Sequence, residues 1–327
     1  MLSIITASKG RLDLFDKSIT SLWDHAADPD NVEHIVATDS DDHETHAFMD
    51  DYISRYPTRN ITHFIVKLPL CQECLARGQE VIHYEKRNIH RDYWNPIARK
   101  AVGDVVFGMG NDVVIETPGY DKIILEEVEK AKEKHLHSYL QILVDDDSES
   151  ITEESAKPFD YCSWIILTKE AVKLLKGIAP GEIAFSGADQ YVGQIFSNTL
   201  FPSQIDLRKV IKTSHISHYT GKQHAPDAVT QSHPLDQTNW EDIARKQYDL
   251  ALDYAIIKQA KWVLRRLKKI QLDADSKTLS STEKTRSKLV LESADGRGGW
   301  QEAYFGNKIW GAENNPWVIE YAGQKAQ

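Results

Sequence analysis

Cysteine is scarce: three in 327 residues, an odd number, are too few for a disulfide framework and point to a reducing compartment. No apolar run approaches the ~18–20 residues needed to span a bilayer. The opening "MLSIITASKGR" has no basic stretch and only a four-residue apolar patch, so it does not read as a secretory signal. Glycine is missing where a nucleotide-binding protein usually concentrates it. The segment "ASKGRL" (7–12) holds one glycine, which excludes both a P-loop and a dinucleotide fingerprint. Internal repeats and low-complexity tracts are absent too. These absences predict a cytoplasmic protein without a membrane span, and any bound nucleotide must be held by something other than a glycine nest.

What is present supports a globular body. Hydrophobic residues make up 41% and charged residues 27%, enough for a full core under a solvated surface. The length allows one large domain with an appendage, or two domains. The net charge of -10 is uneven: from Lys258 to Arg297 there are eleven Lys/Arg against five Asp/Glu, so this segment carries +6 and the remainder -16. An acidic body with one basic segment disfavours general coating of nucleic acid but leaves room for one local anionic contact.

Strand-like and helix-like segments alternate through the first two-thirds of the chain. "LSIITAS" (2–8) is a short apolar run, and Leu12, Phe15, Ile19 and Leu22 then recur at helical spacing. "VEHIVATDS" (32–40) reads as a second strand and "HETHAFMDDYISRY" (43–56) as a second helix. "ITHFIVKLP" (61–69) is a third strand, "NPIARKAV" (95–102) a short helix and "DVVFGM" (104–109) a fourth strand. Such alternation predicts a three-layer α/β/α fold on a mostly parallel sheet, with ligands at the carboxyl ends of the strands near a switch in strand order. Residues 6–11, 39–42 and 111–112 all fall at such ends. Farther on, Ile256, Ala260, Val263, Leu267 and Ile270 predict a long helix from about Trp240 to Ile270. Three of the eight tryptophans (Trp300, Trp310, Trp317) crowd the last 28 residues, too aromatic for a disordered tail. The expected organisation is therefore an α/β domain over 1–235 and a helical, aromatic-rich extension over 236–327.

The stretch "VVFGMGNDVVIETPGYDKI" (105–123) interrupts apolar strands with Asn111 and Asp112. One reading makes the pair a turn between two hairpin strands, since Asn and Asp favour turns. The other makes Asp112 the ligand of a divalent ion that neutralises a diphosphate, with Gly108 and Gly110 allowing the backbone to approach.

The order of pieces resembles GT-A-fold glycosyltransferases: "TASKGR" after strand one, Asp39 after strand two, Asn95 and Ala98 before "GDVVFGMGNDV", and then "TPGYD". It is most similar to family-2-like members, many from bacteriophages, that carry "GDDV…TPGWD". The resemblance covers about residues 2–222. It implies a nucleotide-sugar donor, UDP-linked, and a Mn2+ or Mg2+ ion. Asp39 would contact the base, and Asp112 would be the metal carboxylate of an Asp-x-Asp motif whose first position is Gly110 here. Thr6, Ser8, Arg11, Arg91, Asn95, Asn111 and Lys222 complete the implied donor site, and His215 and His218 of "TSHISHYTGK" are further candidate metal ligands. Asp189 in "FSGADQYVGQIF" would be the base of an inverting transfer; the alternative is an acidic residue facing its helix dipole. Arg87 and Arg91 either touch diphosphate or cover polar surface. The Asp145–Asp147 run reads as a solvated acidic loop, and the spacing of Cys71 and Cys74 to His83 and His90 is too short for a zinc finger. The likeness to phage enzymes makes a hydroxymethylated base in DNA a candidate acceptor, contacted by the basic segment 258–297. Rival readings are a sugar nucleotidylyltransferase and a catalytically inactive nucleotide-sugar-binding protein.

Overall fold

The computed structural model describes residues 1–67, 72–78, 89–135, 137–145, 163–179, 188–197, 199 and 203–216. In chain order these form β1 (Leu2–Ser8), α1 (Leu12–Asp24), β2 (Val32–Asp39), α2 (His43–Arg55), β3 (Asn60–Val66), α3 (Gln72–Leu75), α4 (Asn95–Lys100), β4 (Val105–Gly108), β5 (Val113–Ile115), α5 (Tyr120–His135), β6 (Gln141–Leu143), β7 (Ile165–Thr168), α6 (Lys169–Leu175), α7 (Ala188–Ser197), β8 (Gln204–Asp206) and β9 (Thr213–His215). The expected domain boundary at 235, the long helix after Trp240, the basic segment and the tryptophan-rich end lie outside the described residues, as do His218 and Lys222.

Burial along each strand tells where it sits. Every residue of β2 is buried and nearly every residue of β1, as in strands covered by helices on both faces. β3 is only half-buried, and it is an edge strand. The main sheet has the order β3-β2-β1-β4-β7-β6-β8. β1 to β4 are parallel to one another, β7 runs antiparallel to β4 and β6, and β8 is parallel to β6. Among the described strands of this sheet only β7 is reversed.

Alternating side chains feed two cores. Leu2 and Ile4 pack with Phe15, Ile19 and Leu22 of α1, Met49 of α2 and Ile124 and Val128 of α5. Ile5 faces the other way, with Tyr93, Ile97 and Ala98 around α4, Val172 of α6 and Tyr191, Val192, Ile195 and Phe196 of α7. Helices thus cover both faces, giving the α/β/α layering expected from the sequence. Among the described residues no helix is long and apolar enough to cross a membrane.

The hairpin reading of Asn111-Asp112 is overturned. β4 stays in the main sheet between β1 and β7, whereas β5 leaves it and pairs antiparallel with β9 in a separate two-stranded sheet. The chain turns away because β5 is apolar and packs on α1: Val113 and Ile115 join the core of Phe15 and Ile19.

Candidate functional site

In the order β3-β2-β1-β4, the chain winds one way from β1 to β3 and returns on the other side of β1 to make β4. The carboxyl ends of β1 and β4 therefore flank a crevice, the place where open α/β sheets bind ligands. Residues 8–11 line one side and 109–112 the other. Across it, Asn111 Nδ2 donates to Ser8 Oγ at 3.0 Å, and Arg11 Nη1 lies 3.1 Å from Asp112 Oδ2.

The β5–β9 ladder delivers a third group. Val113 pairs with His215, and the Ile216 amide donates to the Asp112 carbonyl at 2.9 Å. His215 Nε2 is thereby set 3.2 Å from the same Asp112 Oδ2. Trp164 braces the imidazole edge-on, with ring centroids 5.2 Å apart, and is itself tied to Thr213 Oγ1 by its indole N–H at 2.8 Å. Asp112 is buried, with a side chain 9% exposed, while Arg11 and His215 are 20% and 28% exposed. The carboxylate is thus held below a rim of two basic side chains.

A second ion pair springs from the same loop. Lys9 Nζ lies 2.8 Å from Asp39 Oδ2 at the end of β2, and Tyr93 O–H donates to the other oxygen, Oδ1. The Gly10 amide donates to Asp42 Oδ2 at 2.9 Å, and Asp42 caps α2 through the Thr45 amide at 3.1 Å. Burial alone would raise the Asp42 carboxyl, but the hydrogen bonds from Thr45 and Gly10 and the charge of Lys9 outweigh it and lower its pKa. Gly10 and Arg11 both take left-handed conformations (φ 57° and 53°), which costs glycine little and arginine more. The short run from Ser8 to Arg11 thus binds across to both β2 and β4.

Thr6, Asn95 and Arg91 are committed elsewhere. Thr6 is fully buried, and its hydroxyl meets His34 Nε2 at 3.0 Å. Asn95 receives the Ile178 amide on Oδ1 at 2.8 Å and donates to the Ala179 carbonyl at 2.8 Å, clamping the loop after α6. A Cβ at Gly177 would collide with that amide. Arg91 pairs with its neighbour Asp92 at 2.7 Å. Asp189 lies, half-buried, in the first turn of α7. Asp145 is bridged to the strand region at Lys212, and the rest of its acidic run is outside the described residues. The structure adds Lys9, Tyr93 and Trp164, which sequence reasoning misses. Lys9 is visible in one dimension only as part of "SKGR", and nothing in the local sequence marks the other two.

Among the described residues, no group of three or more His, Cys, Asp and Glu converges as a metal cage. Asp112 and His215 are a two-donor set. Their oxygen and nitrogen, 3.2 Å apart, stand close to the roughly 3 Å that separates adjacent ligands each about 2.1 Å from an ion. Mg2+-type ions are commonly held by one or two protein groups, with substrate phosphates completing the shell. The pair fits an ion that arrives with a phosphate.

No protein-family model matches the sequence, and no curated protein does. Solved structures with similar folds include S. aureus TarS, at 14% identity and a TM-score of 0.45, covering 66% of this chain. This chain spans 36% of that one. The mannosyltransferase PcManGT from Pyrobaculum calidifontis, in complex with GDP-Man and Mn2+, is 11% identical over 99% of this chain and 86% of its own, with a TM-score of 0.46. GalNAc-T7 with UDP, GalNAc and Mn2+ is 12% identical over 68% of this chain and 45% of its own, with a TM-score of 0.43. At these identities and TM-scores, the functional reading rests on the crevice's own residues.

Proposed function

We propose that this chain is a GT-A-type glycosyltransferase that moves a sugar from a nucleoside diphosphate sugar, UDP-linked by the sequence resemblance, to an acceptor hydroxyl with inversion. The observation that carries the reading is the meeting of Arg11 and His215 on Asp112 at the strand-order switch. It combines two basic groups with a carboxylate where a diphosphate would lie, in a chain without a glycine-rich phosphate loop.

In this reading the acceptor oxygen bonds to the anomeric carbon as the bond from that carbon to the diphosphate oxygen breaks. Asp189 takes the acceptor proton, and the departing diphosphate carries the negative charge away. Arg11 and Lys9 approach that charge from the β1–α1 loop, and Asp39 with Tyr93 forms the floor beneath the base. Asp112 and His215 would hold a Mn2+ or Mg2+ ion, which when bound supplies further neutralisation of the diphosphate. Stabilising charge that develops in the transition state is usually the largest single contribution to such catalysis. The acceptor in this reading is a hydroxymethylated base in DNA, supported by the basic segment 258–297 and by the resemblance to phage enzymes.

A donor-hydrolysis assay tests the proposal. Slow release of UDP from UDP-sugars, lost in Asp112→Asn with an unchanged melting temperature, supports it. Binding of UDP-sugar without any turnover in the presence of acceptor and Mn2+ would identify an inactive binding protein instead.

A further inference from the structure

We infer that Arg11 is the resident cation of the crevice: it neutralises the donor diphosphate in its own right and competes with a divalent ion for Asp112. The inference rests on the nucleotide-sugar reading above and adds a role to a residue of that site.

Three observations carry it. First, the oxygen that an ion would take from Asp112 is the one already shared by Arg11 Nη1 at 3.1 Å and His215 Nε2 at 3.2 Å. An ion entering there must displace the guanidinium, because two cations cannot share so short a distance without strong repulsion. The guanidinium must therefore leave this oxygen by moving its side chain.

Second, the carboxylate that would tip this competition toward metal is absent from position 110, and a side chain there would conflict with the present position of Asp112. A Cβ at position 110 would lie 2.7 Å from Asp112 Oδ1. Real Cβ contacts do not come that close, so a side chain there pushes Asp112 out of its present position. The present position of Asp112, between Arg11 and His215, therefore goes with a glycine at 110. The missing motif carboxylate and the ion pair that stands in its place are thus two sides of one arrangement.

Third, Arg11 is delivered by a rigid support. Its carbonyl accepts the amides of Leu14 and Phe15 at 3.1 and 2.9 Å, making it the N-cap of the thirteen-residue helix α1. The preceding Gly10 amide is anchored on Asp42 and Thr45. The guanidinium therefore acts beside the positive end of a helix dipole, and its planar fork suits the paired oxygens of a diphosphate. Moving from Asp112 to an arriving diphosphate exchanges one anionic partner for another. The carboxylate it leaves is then available to an ion that comes with the nucleotide. Arg11 and the ion are alternatives on Asp112 and partners on the diphosphate.

The test uses the full chain and three probes: UDP, GDP and Mn2+. Nucleotide binding is measured by calorimetry in EDTA and in Mn2+, and Mn2+ binding without nucleotide by electron paramagnetic resonance. The wild type should bind UDP or GDP in EDTA within about threefold of its affinity in Mn2+. Arg11→Gln should lose about tenfold or more in EDTA, the size of one charge-assisted hydrogen bond, and recover part of it in Mn2+. The same variant should bind Mn2+ alone about tenfold more tightly than the wild type, and Arg11→Lys should resemble the wild type in fold and lie between the two in binding. Collapse of wild-type nucleotide binding in EDTA, with Arg11→Gln no weaker than wild type, would overturn the inference and leave the ion as the neutralising group. Unchanged Mn2+ affinity in Arg11→Gln would overturn the competition even if nucleotides bind. Failure of the wild type to bind either nucleotide in both buffers would remove the donor reading itself, and the inference with it.

Discussion

Lowering the pH from about 7.5 to about 5 should cost the fold roughly 2 kcal/mol through His34 alone. This imidazole is fully buried in β2, between Tyr52 O–H on Nδ1 (2.8 Å) and Thr6 Oγ1 on Nε2 (3.0 Å). The Trp23 indole N–H donates to the Tyr52 oxygen at 2.8 Å, so Tyr52 gives its own proton to His34 Nδ1, and His34 gives its Nε2 proton to Thr6. The chain is complete only with a neutral imidazole. Burial accordingly pulls the His34 pKa down from 6.5 to about 3. Between those values the unfolded chain binds a proton that the fold refuses. Stability is therefore full above about pH 6.5 and falls as the pH drops toward 3, by up to ~1.4 kcal/mol per unit. At about pH 5 the loss integrates to roughly 2 kcal/mol. Urea unfolding followed by circular dichroism at both pH values measures it, with His34→Gln as the reference. That variant should be weaker by about 1–3 kcal/mol at neutral pH, since Thr6 and Tyr52 lose a partner, yet it should lack the acid-dependent part. His63, also lowered by burial and by nearby His46, titrates in both proteins and cancels. If His34→Gln loses as much stability as the wild type on acidification, the linkage to His34 is wrong.

Gly110→Ala should place a Cβ against Asp112 Oδ1, separate Asp112 from Arg11 and His215, and lower UDP-sugar turnover by about tenfold or more while the melting temperature moves little. Asp189→Asn should reduce transfer by ~10²–10⁴-fold with donor affinity intact, as measured by steady-state kinetics and calorimetry; a loss confined to affinity would make it a binding residue. Replacing Arg265, Arg266, Lys268 and Lys269 with Gln should flatten the salt dependence of DNA binding, by about 0.9 in log–log slope for each phosphate no longer neutralised. An unchanged slope would favour a small-molecule or glycan acceptor.

The local elements are legible in the sequence because each carries its own period. Leu12, Phe15, Ile19 and Leu22 define α1 to within a few residues of its observed end, and "LSIITAS" is β1 itself. The continuous burial of β1 and β2 is less legible, because it takes in the polar Ser3, Thr6, Glu33, His34, Thr38 and Asp39 as well as the apolar residues. What brings the site together is not legible. Asp112 meets His215 through a strand pair that closes across about 100 residues, and nothing near either residue encodes that register. The reason for Gly110 is likewise invisible in one dimension, because it depends on the direction of the Asp112 side chain. Thr6 and Asn95 sit at strand and helix ends in keeping with the pattern, yet their polar atoms are taken by His34 and by the loop after α6. Position along the chain locates the crevice; only packing decides which side chains enter it.

The two-stranded pairing of β5 with β9 also orders events during synthesis. β1 to β4 and α1 emerge first and can associate among themselves, since β1 already has both its neighbours. Asp112 leaves the ribosome with them and meets Arg11, but His215 follows about 100 residues later. At ~5–20 residues per second that is a delay of roughly 5–20 s. The nascent protein therefore passes through a stage in which the sheet exists and the crevice has one basic wall. Only when β9 docks along β5 does the second wall arrive, so competence of the site reports on the last described strand to join and can lag behind the formation of the core.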